Sequence, residues 1–223
     1  MPGISFIIPT LNAKEFLPEC LRSLRGGSSE VEIIVSDGGS TDKTCEIAAE
    51  FGAHVVRSGR GRGLQCNEGA KSATGDILAF IHADSLLSEN FFEVVASAFK
   101  DEEIQLAKFM LQFDLDHWLL NLSSRMARLD SFWTSFGDQG VIIRRSFFDE
   151  LGAFKGWPLF EDVDLFARAR KSTVIRLLPA RIVTSAHKFK RHGVVKQQLK
   201  NGWLMLQYMF GISPRRLYEK YYS

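Results

Sequence analysis

Proline, cysteine and long apolar runs are all scarce in this 223-residue sequence, and each scarcity excludes something. With 6 prolines and 18 glycines there is no collagenous, proline-rich or low-complexity stretch. No apolar run approaches the roughly 20 residues that a membrane-spanning helix needs, so an integral membrane protein is not expected. Met1-Pro2-Gly3 enters an apolar segment at once, without a basic leader or a small-residue cleavage site. No secretory signal is therefore expected, and the expected location is cytoplasmic. The three cysteines, Cys20, Cys45 and Cys66, are odd in number and lack metal-type spacing, so reduced thiols packed as small apolar groups are the expectation.

What is present is the material of one globular domain, 45% hydrophobic and 24% charged, enough for a sizeable core. The formal charge of +2 hides an asymmetry. From Arg168 to Ser223 there are 13 Lys and Arg against one acid, Glu219, whereas the preceding 167 residues hold 15 basic and 25 acidic residues. An acidic body with a basic tail points to an anionic partner near the C-terminus, either a phosphate or a membrane surface, with a merely solvated basic face as the alternative.

Short apolar, β-branched runs at residues 4–8, 31–35, 54–56 and 76–81 read as strands, the first ending at Pro9. Helical patterns lie between them, at 14–25 (stopped by Gly26-Gly27), after the loop 36–42 as far as 51, and from the glycine-rich loop 58–63 to about 73. Alternation of this kind predicts a mostly parallel sheet with helices on both faces, whose ligands bind beyond the carboxyl ends of the strands. Further on, a helix is expected to about residue 100, a strand at 104–113, a helix at 116–130 and a strand at 141–144. A loop at 157–164 precedes a helix, 174–178 and 182–184 read as two strands, and 194–210 reads as an amphipathic helix before a last short one from Pro214.

Four segments carry candidate chemistry. Asp37-Gly38-Gly39-Ser40-Thr41-Asp42 follows the second strand: glycines allow close approach of a ligand and Asp37 can accept hydrogen bonds from a base or ribose, or else the segment is a turn that caps the next helix. Residues 57–67 interleave arginines with glycines at a helix start, a place suited to a diphosphate, yet they match neither the dinucleotide fingerprint nor a P-loop. His82-Ala83-Asp84 follows the fourth strand, and strand alternation would point His82 and Asp84 toward one ion. Glu161-Asp162-Val163-Asp164 places carboxylates before a helix, either as dipole-favouring residues or with one as general base.

Taken in order, Ile7-Ile8-Pro9-Thr10-Leu11-Asn12, the Asp37–Asp42 segment, Asn67-Glu68-Gly69-Ala70, His82-Ala83-Asp84 and Glu161-Asp162-Val163-Asp164 resemble a family 2 glycosyltransferase of GT-A fold. The resemblance extends to small bacterial members with Gly-Asp-Gln-Gly, here residues 137–140, and with Gly-x-Ser-Pro, here 211–214. It implies an α/β nucleotide-diphospho-sugar transferase fold, a mostly parallel sheet flanked by helices with a short helical C-terminal extension. One domain would span 1–223, with a nucleotide-binding half at 1–100, an acceptor and catalytic half at 101–185 and a basic helical extension at 186–223. The implied nucleoside-pocket residues are Pro9, Thr10, Asn12, Glu15 and Asp37, with Arg62 and Asn67 holding ribose or diphosphate. Asp84 would hold Mn²⁺ or Mg²⁺, assisted by His82 and His187. Asp162 would be the catalytic base, with Glu161 positioning acceptor or base, and Gln139, Asp138 and Trp157 would contact sugar or acceptor, Trp133 and Phe160 adding to an apolar wall.

Two departures from the pattern matter. His82 stands where the family's Asp-x-Asp has its first acid, and the Gln-x-x-Arg-Trp motif of processive synthases is missing. The expectation is therefore inverting, non-processive transfer from a UDP- or GDP-sugar to an unidentified acceptor. Rival readings are a catalytically silent nucleotide-sugar-binding scaffold and a nucleotidyltransferase. Lys188, Lys190, Arg191, His192, Lys196 and Lys200 precede an apolar helix end, which would seat a lipid-phosphate acceptor, rest on the inner face of an anionic membrane, or form a homodimer face around 203–210. No nucleic-acid reader motif is present.

Overall fold

A computed structural model describes residues 3–27, 31–131, 134 and 136–222; Trp133 lies outside the described residues. The elements run β1 (Ile4–Thr10), α1 (Leu17–Gly27), β2 (Glu32–Asp37), α2 (Thr44–Glu50), β3 (His54–Arg57), α3 (Arg62–Ser72), β4 (Ile77–Phe80), β5 (Ser85–Leu87), α4 (Phe91–Ala98) and β6 (Leu106–Phe113). They continue with α5 (Trp118–Met126), a 3₁₀ turn (Gly137–Gln139), β7 (Val141–Arg144), α6 (Arg145–Glu150), α7 (Glu161–Ala169), β8 (Arg176–Thr184), α8 (His187–His192), α9 (Val194–Met209) and α10 (Pro214–Tyr222).

One eight-stranded sheet carries them in the order β3-β2-β1-β4-β7-β6-β8-β5. The four strands β3, β2, β1 and β4 are parallel to their neighbours, β7 runs against β4 and β6, β8 is parallel to β6, and β5 runs against β8. The sheet is mostly parallel and helix-flanked, as the alternation predicts. Along β1, Phe6 and Ile8 face a core layer with Leu17, Leu21, Phe91 and Val95, while Ile7 faces the opposite layer with Cys66, Phe80, Phe147 and Phe166. A strand buried on both faces reads as a continuous apolar run because its period of two is filled on each side. Each such side chain contributes about 1.5–3 kcal/mol through removal from water.

The departures from expectation have local causes. α1 continues through both glycines to Gly27. The two short strands expected at 174–184 form one strand, β8, in which Phe109 pairs with Leu178 and Met110 with Arg181, leaving Pro179 and Ala180 as the irregularity; Pro179 has no N–H to give a ladder. α7 begins at Glu161, so Glu161, Asp162 and Asp164 occupy its first turn rather than a loop.

Gly63 in α3 shows how tightly the second half closes on the first. Its N–H donates to the Trp157 carbonyl at 3.2 Å, and a Cβ there would lie 2.1 Å from the Lys155 carbonyl oxygen. Gly63→Ala must push the 155–157 backbone away, so its Tm should fall by roughly 3–10 °C, the counterpart of about 1–3 kcal/mol of overpacking. Gly26→Ala, with nothing within 4 Å of its Cβ, is the control and should leave Tm level or slightly raised in a calorimetric comparison.

Candidate active site

The carboxyl ends of β1, β2 and β4 bring three loops together. Asp37 ends β2 almost fully buried, and its carboxylate accepts from the backbone N–H groups of Gly39 (3.0 Å) and Ser40 (2.8 Å), from Thr10 Oγ1 (3.2 Å) and from the Ser40 hydroxyl. Burial raises its pKa, but the Ser40 and Gly39 bonds outweigh this and leave it below the ordinary value. Both oxygens are thereby engaged in shaping their own loop. Asn12, at φ 52°, accepts from the Thr41 N–H at 2.9 Å and gives its own N–H to Ser40 Oγ at 2.8 Å. This ties the end of β1 to the Asp37 loop. Asp42 accepts from the Thr44 N–H at 3.0 Å and opens α2. Gln65, which no sequence motif flags, is buried and donates to the carbonyls of Thr10 (2.6 Å) and Ser36 (3.0 Å), locking the two strand ends side by side. Pro9 is half-buried in the same region and Glu15 is exposed.

Next to this platform a small cavity is lined by Pro9, Arg62, His82, Gly137, Glu161 and Asp162, with Cys66, Phe80 and Phe154 on its apolar side. Arg62 Nε lies 2.5 Å from Glu161 Oε1, and Nη2 reaches Oε2 at 3.4 Å. Burial works against the guanidinium charge, but Glu161 and Asp162 raise the Arg62 pKa above its ordinary value. Glu161 is 3% exposed, and burial pushes its carboxyl upward despite the arginine. Asp162 accepts from Gly137 N–H and, at 2.8 Å, from Val163 N–H, so two backbone donors fix its orientation. A Cβ on residue 137 would meet Asp162 Oδ2 at 2.8 Å and His82 Nε2 at 3.2 Å, which explains the glycine.

His82 and Asp84 do not turn toward one point. Residues 82–85 form a turn, with Ser85 N–H donating to the His82 carbonyl at 3.1 Å, so strand alternation does not apply to them. His82 Nδ1 sits 3.1 Å from Asp138, and Nε2 lies 3.4 Å from Arg62 Nη1. Burial disfavours the imidazolium, yet Asp138 raises its pKa above the ordinary value; Asp138, against its own burial, is held down at about 2 by His82. Asp84 instead faces His187, with Oδ2 and Nδ1 3.7 Å apart. Among the described residues no three His, Cys, Asp or Glu side chains form a metal cluster, so the expected trio of Asp84, His82 and His187 does not assemble; His82 pairs with Asp138 instead, and Asp84 and His187 meet.

That pair suits a divalent cation in one respect. His187 Nδ1 is buried and makes no hydrogen bond, leaving an imidazole nitrogen beside a carboxylate oxygen. One nitrogen and one hard oxygen make part of a shell that diphosphate oxygens and water can complete. His187 is placed by Asp114, a residue the sequence reading missed: it accepts from Ala186 N–H at 2.6 Å and pairs with Lys190 at 3.1 Å at the start of α8.

Two other candidate residues have structural work. Asn67 donates to the Phe154 carbonyl at 2.8 Å and accepts from the Phe154 N–H at 3.1 Å, so its amide clamps the second half to α3 and is not aimed at ribose. Gln139 is 1% exposed; it donates to the Ala127 carbonyl at 2.6 Å and accepts from Phe136 N–H. Ala127 also takes a bond from buried Lys108 at 2.9 Å. Gln139 therefore braces the turn carrying Gly137 and Asp138 from behind, and the expected sugar or acceptor contact is corrected on that ground. Trp157 is half-buried, with Lys155 Nζ 4.6 Å from its ring centre, and Phe160 stacks on Tyr208 at 4.7 Å.

Loops gathered at the carboxyl ends of parallel strands, with acids opening a later helix, define a class before a family. S. aureus TarS 1–349 in complex with UDP-GlcNAc superposes with a TM-score of 0.65 at 20% identity, over 83% of this chain and 59% of that one. The Pyrobaculum calidifontis mannosyltransferase PcManGT, in complex with GDP-Man and Mn²⁺, gives a TM-score of 0.65 at 17% identity, over 82% of this chain and 56% of that one. The fold is GT-A. The sequence profile described as "Glycosyl transferase family 2" matches residues 5–152, and the chain belongs to that family. The 4,4'-diaponeurosporenoate glycosyltransferase of Staphylococcus haemolyticus is 38% identical over 110 residues, 45% of this chain and 29% of that protein. A PGL/p-HBAD biosynthesis glycosyltransferase of Mycobacterium bovis is 38% identical over 96 residues, 40% of this chain and 38% of that protein. The matched part thus spans only about a third of the length of these relatives.

Proposed function

We propose that this chain transfers a sugar from a nucleoside diphosphate, UDP or GDP, to an acceptor hydroxyl with inversion and without processivity. The observation that carries the reading is the Asp162 carboxylate, oriented by the N–H groups of Gly137 and Val163 on the wall of the cavity beyond β1 and β4. Asp162 takes the proton of the acceptor hydroxyl as that oxygen bonds to the anomeric carbon. The bond from that carbon to the diphosphate oxygen breaks on the opposite face, and the electron pair leaves with the diphosphate. Arg62 neutralises Glu161 beside the base and leaves a cationic edge toward the leaving group. Thr10, Asn12 and the Asp37 loop form the nucleoside platform. Mn²⁺ or Mg²⁺ held by Asp84 and His187 would supply Lewis-acid stabilisation of the diphosphate charge. Support comes from the TarS and PcManGT complexes, whose bound molecules are UDP-GlcNAc in one and GDP-Man with Mn²⁺ in the other. An acceptor carrying a lipid phosphate fits the basic helices after β8.

Nucleoside diphosphates and their sugars, each with Mn²⁺, Mg²⁺ or EDTA, test this by thermal shift. Ligand at about a hundred times Kd should raise Tm by roughly 5–10 °C. Asp84→Asn and His187→Ala should remove the metal-dependent part of that rise and leave the unliganded Tm within a few degrees. A rise without any sugar transfer or sugar-nucleotide hydrolysis would favour the silent scaffold. Release of pyrophosphate from a nucleoside triphosphate would favour the nucleotidyltransferase.

A further inference from the structure

The described surface carries one large apolar face that the site does not use. α5 exposes Trp118, Leu122 and Met126, which recur every fourth residue and share one side of the helix, at 67%, 47% and 48% exposure. α9 likewise exposes Leu199, Trp203 and Leu206, at 71%, 63% and 40%, and Phe210 just past its end is 87% exposed. The two helices touch, and Gln198 of α9 donates to Ser123 Oγ of α5 at 2.9 Å, so the two stripes lie beside each other. Exposed indoles and leucines on adjoining helices exceed the scattered apolar residues of an ordinary surface and call for a partner.

Charge selects that partner. Helical spacing of 100° per residue sets Lys196 and Lys200 along the outer edge of the α9 stripe and Arg125 along the outer edge of the α5 stripe. Arg128 follows α5, and Lys190 and Arg191 precede α9, all exposed. Neither α5, α8 nor α9 contains an Asp or Glu. Outside the helices, Asp114 pairs with Lys190 and Asp116 accepts from Asn121. A second copy of this face would still oppose helix cations to helix cations, whereas an apolar centre within a cationic rim complements anionic lipid.

We infer that the α5–α9 face seats the protein on an anionic bilayer surface, with both indoles at the depth of the headgroups. This goes beyond the transfer reaction and does not depend on it. α9 also connects the face to the site: its inner side presents Tyr208, stacked on Phe160 immediately before Glu161.

The full chain should be sedimented with vesicles of phosphatidylcholine alone and of phosphatidylcholine mixed with phosphatidylglycerol. Binding is expected only to the mixed vesicles, falling at least about tenfold in high salt. Leu199→Glu/Trp203→Glu should abolish it and Lys196→Glu/Lys200→Glu should weaken it about as much as salt does, each with an unchanged Tm because the altered side chains are exposed. Brominated phosphatidylglycerol should quench tryptophan emission of the wild type and not of the first variant. Absence of vesicle binding by the wild type, binding indifferent to these substitutions, or equal binding to neutral vesicles would overturn the inference. So would a concentration-dependent dimer in sedimentation velocity that Leu199→Glu/Trp203→Glu dissolves, which would assign the face to a second copy.

Discussion

Asp162→Asn is expected to lower kcat by about 10²–10⁴-fold while leaving nucleotide affinity within a few-fold of wild type. The carboxamide keeps the size of the group and one acceptor oxygen but cannot take the acceptor's proton. Because the two carboxylate oxygens receive Gly137 and Val163 N–H separately, one of those donors meets an NH₂ group in the variant. A loss of about 1 kcal/mol in stability should accompany the kinetic effect. Transfer rates at saturating donor, with Tm and nucleotide Kd measured on the same preparations, separate the two. A kcat within a few-fold of wild type would remove Asp162 from the role of base.

The second large effect concerns the ion pair behind it. Arg62→Met should cost about 3 kcal/mol at neutral pH, because it leaves Glu161, 3% exposed, ionised without its cation. The sign of the pH dependence follows from burial, which already raises the Glu161 pKa in the folded protein, with Asp162 adding to the rise and Arg62 opposing it. Without Arg62 the folded-state pKa rises further above the unfolded value. Between those two values the folded state holds more protons than the unfolded state, so stability falls as pH rises through the window and returns toward acid. Urea titrations from pH 5 to 8 should show the variant approaching wild type at the acid end. Arg62→Met/Glu161→Gln should recover most of the loss at pH 7 with little remaining slope. A variant equally destabilised at every pH would place the cost in packing rather than in the unpaired carboxylate.

The first half of the fold was legible because β1, β2 and β4 are buried on both faces and so read as uninterrupted apolar runs between helical patterns. β5 has three residues and α6 six, too short for a period to register, and α8 is almost wholly polar. Among the candidate residues, Asp162, Glu161, Arg62 and His82 do converge on one cavity, whereas Asn67 and Gln139 are engaged by backbone groups distant in sequence. No local pattern announces that the Ala127 carbonyl needs a donor, so an amide that braces a turn and one that binds a sugar look alike in sequence. His82 was misjudged for a different reason: the chain turns at residue 82, and the alternation that would aim it with Asp84 ends where the strand does.

The shortest strand has the widest consequence. β5 begins directly after Asp84 and β8 ends shortly before His187, and their antiparallel pairing sets Ser85 opposite Thr184. The meeting of carboxylate and imidazole is thus a matter of ladder register. Residues 81–84 join β4 to β5, which stands at the far end of the strand order, beyond β7, β6 and β8. Ser85, Leu86 and Leu87 pair there with Thr184, Val183 and Ile182, so the segment after β4 is held to the segment before α8.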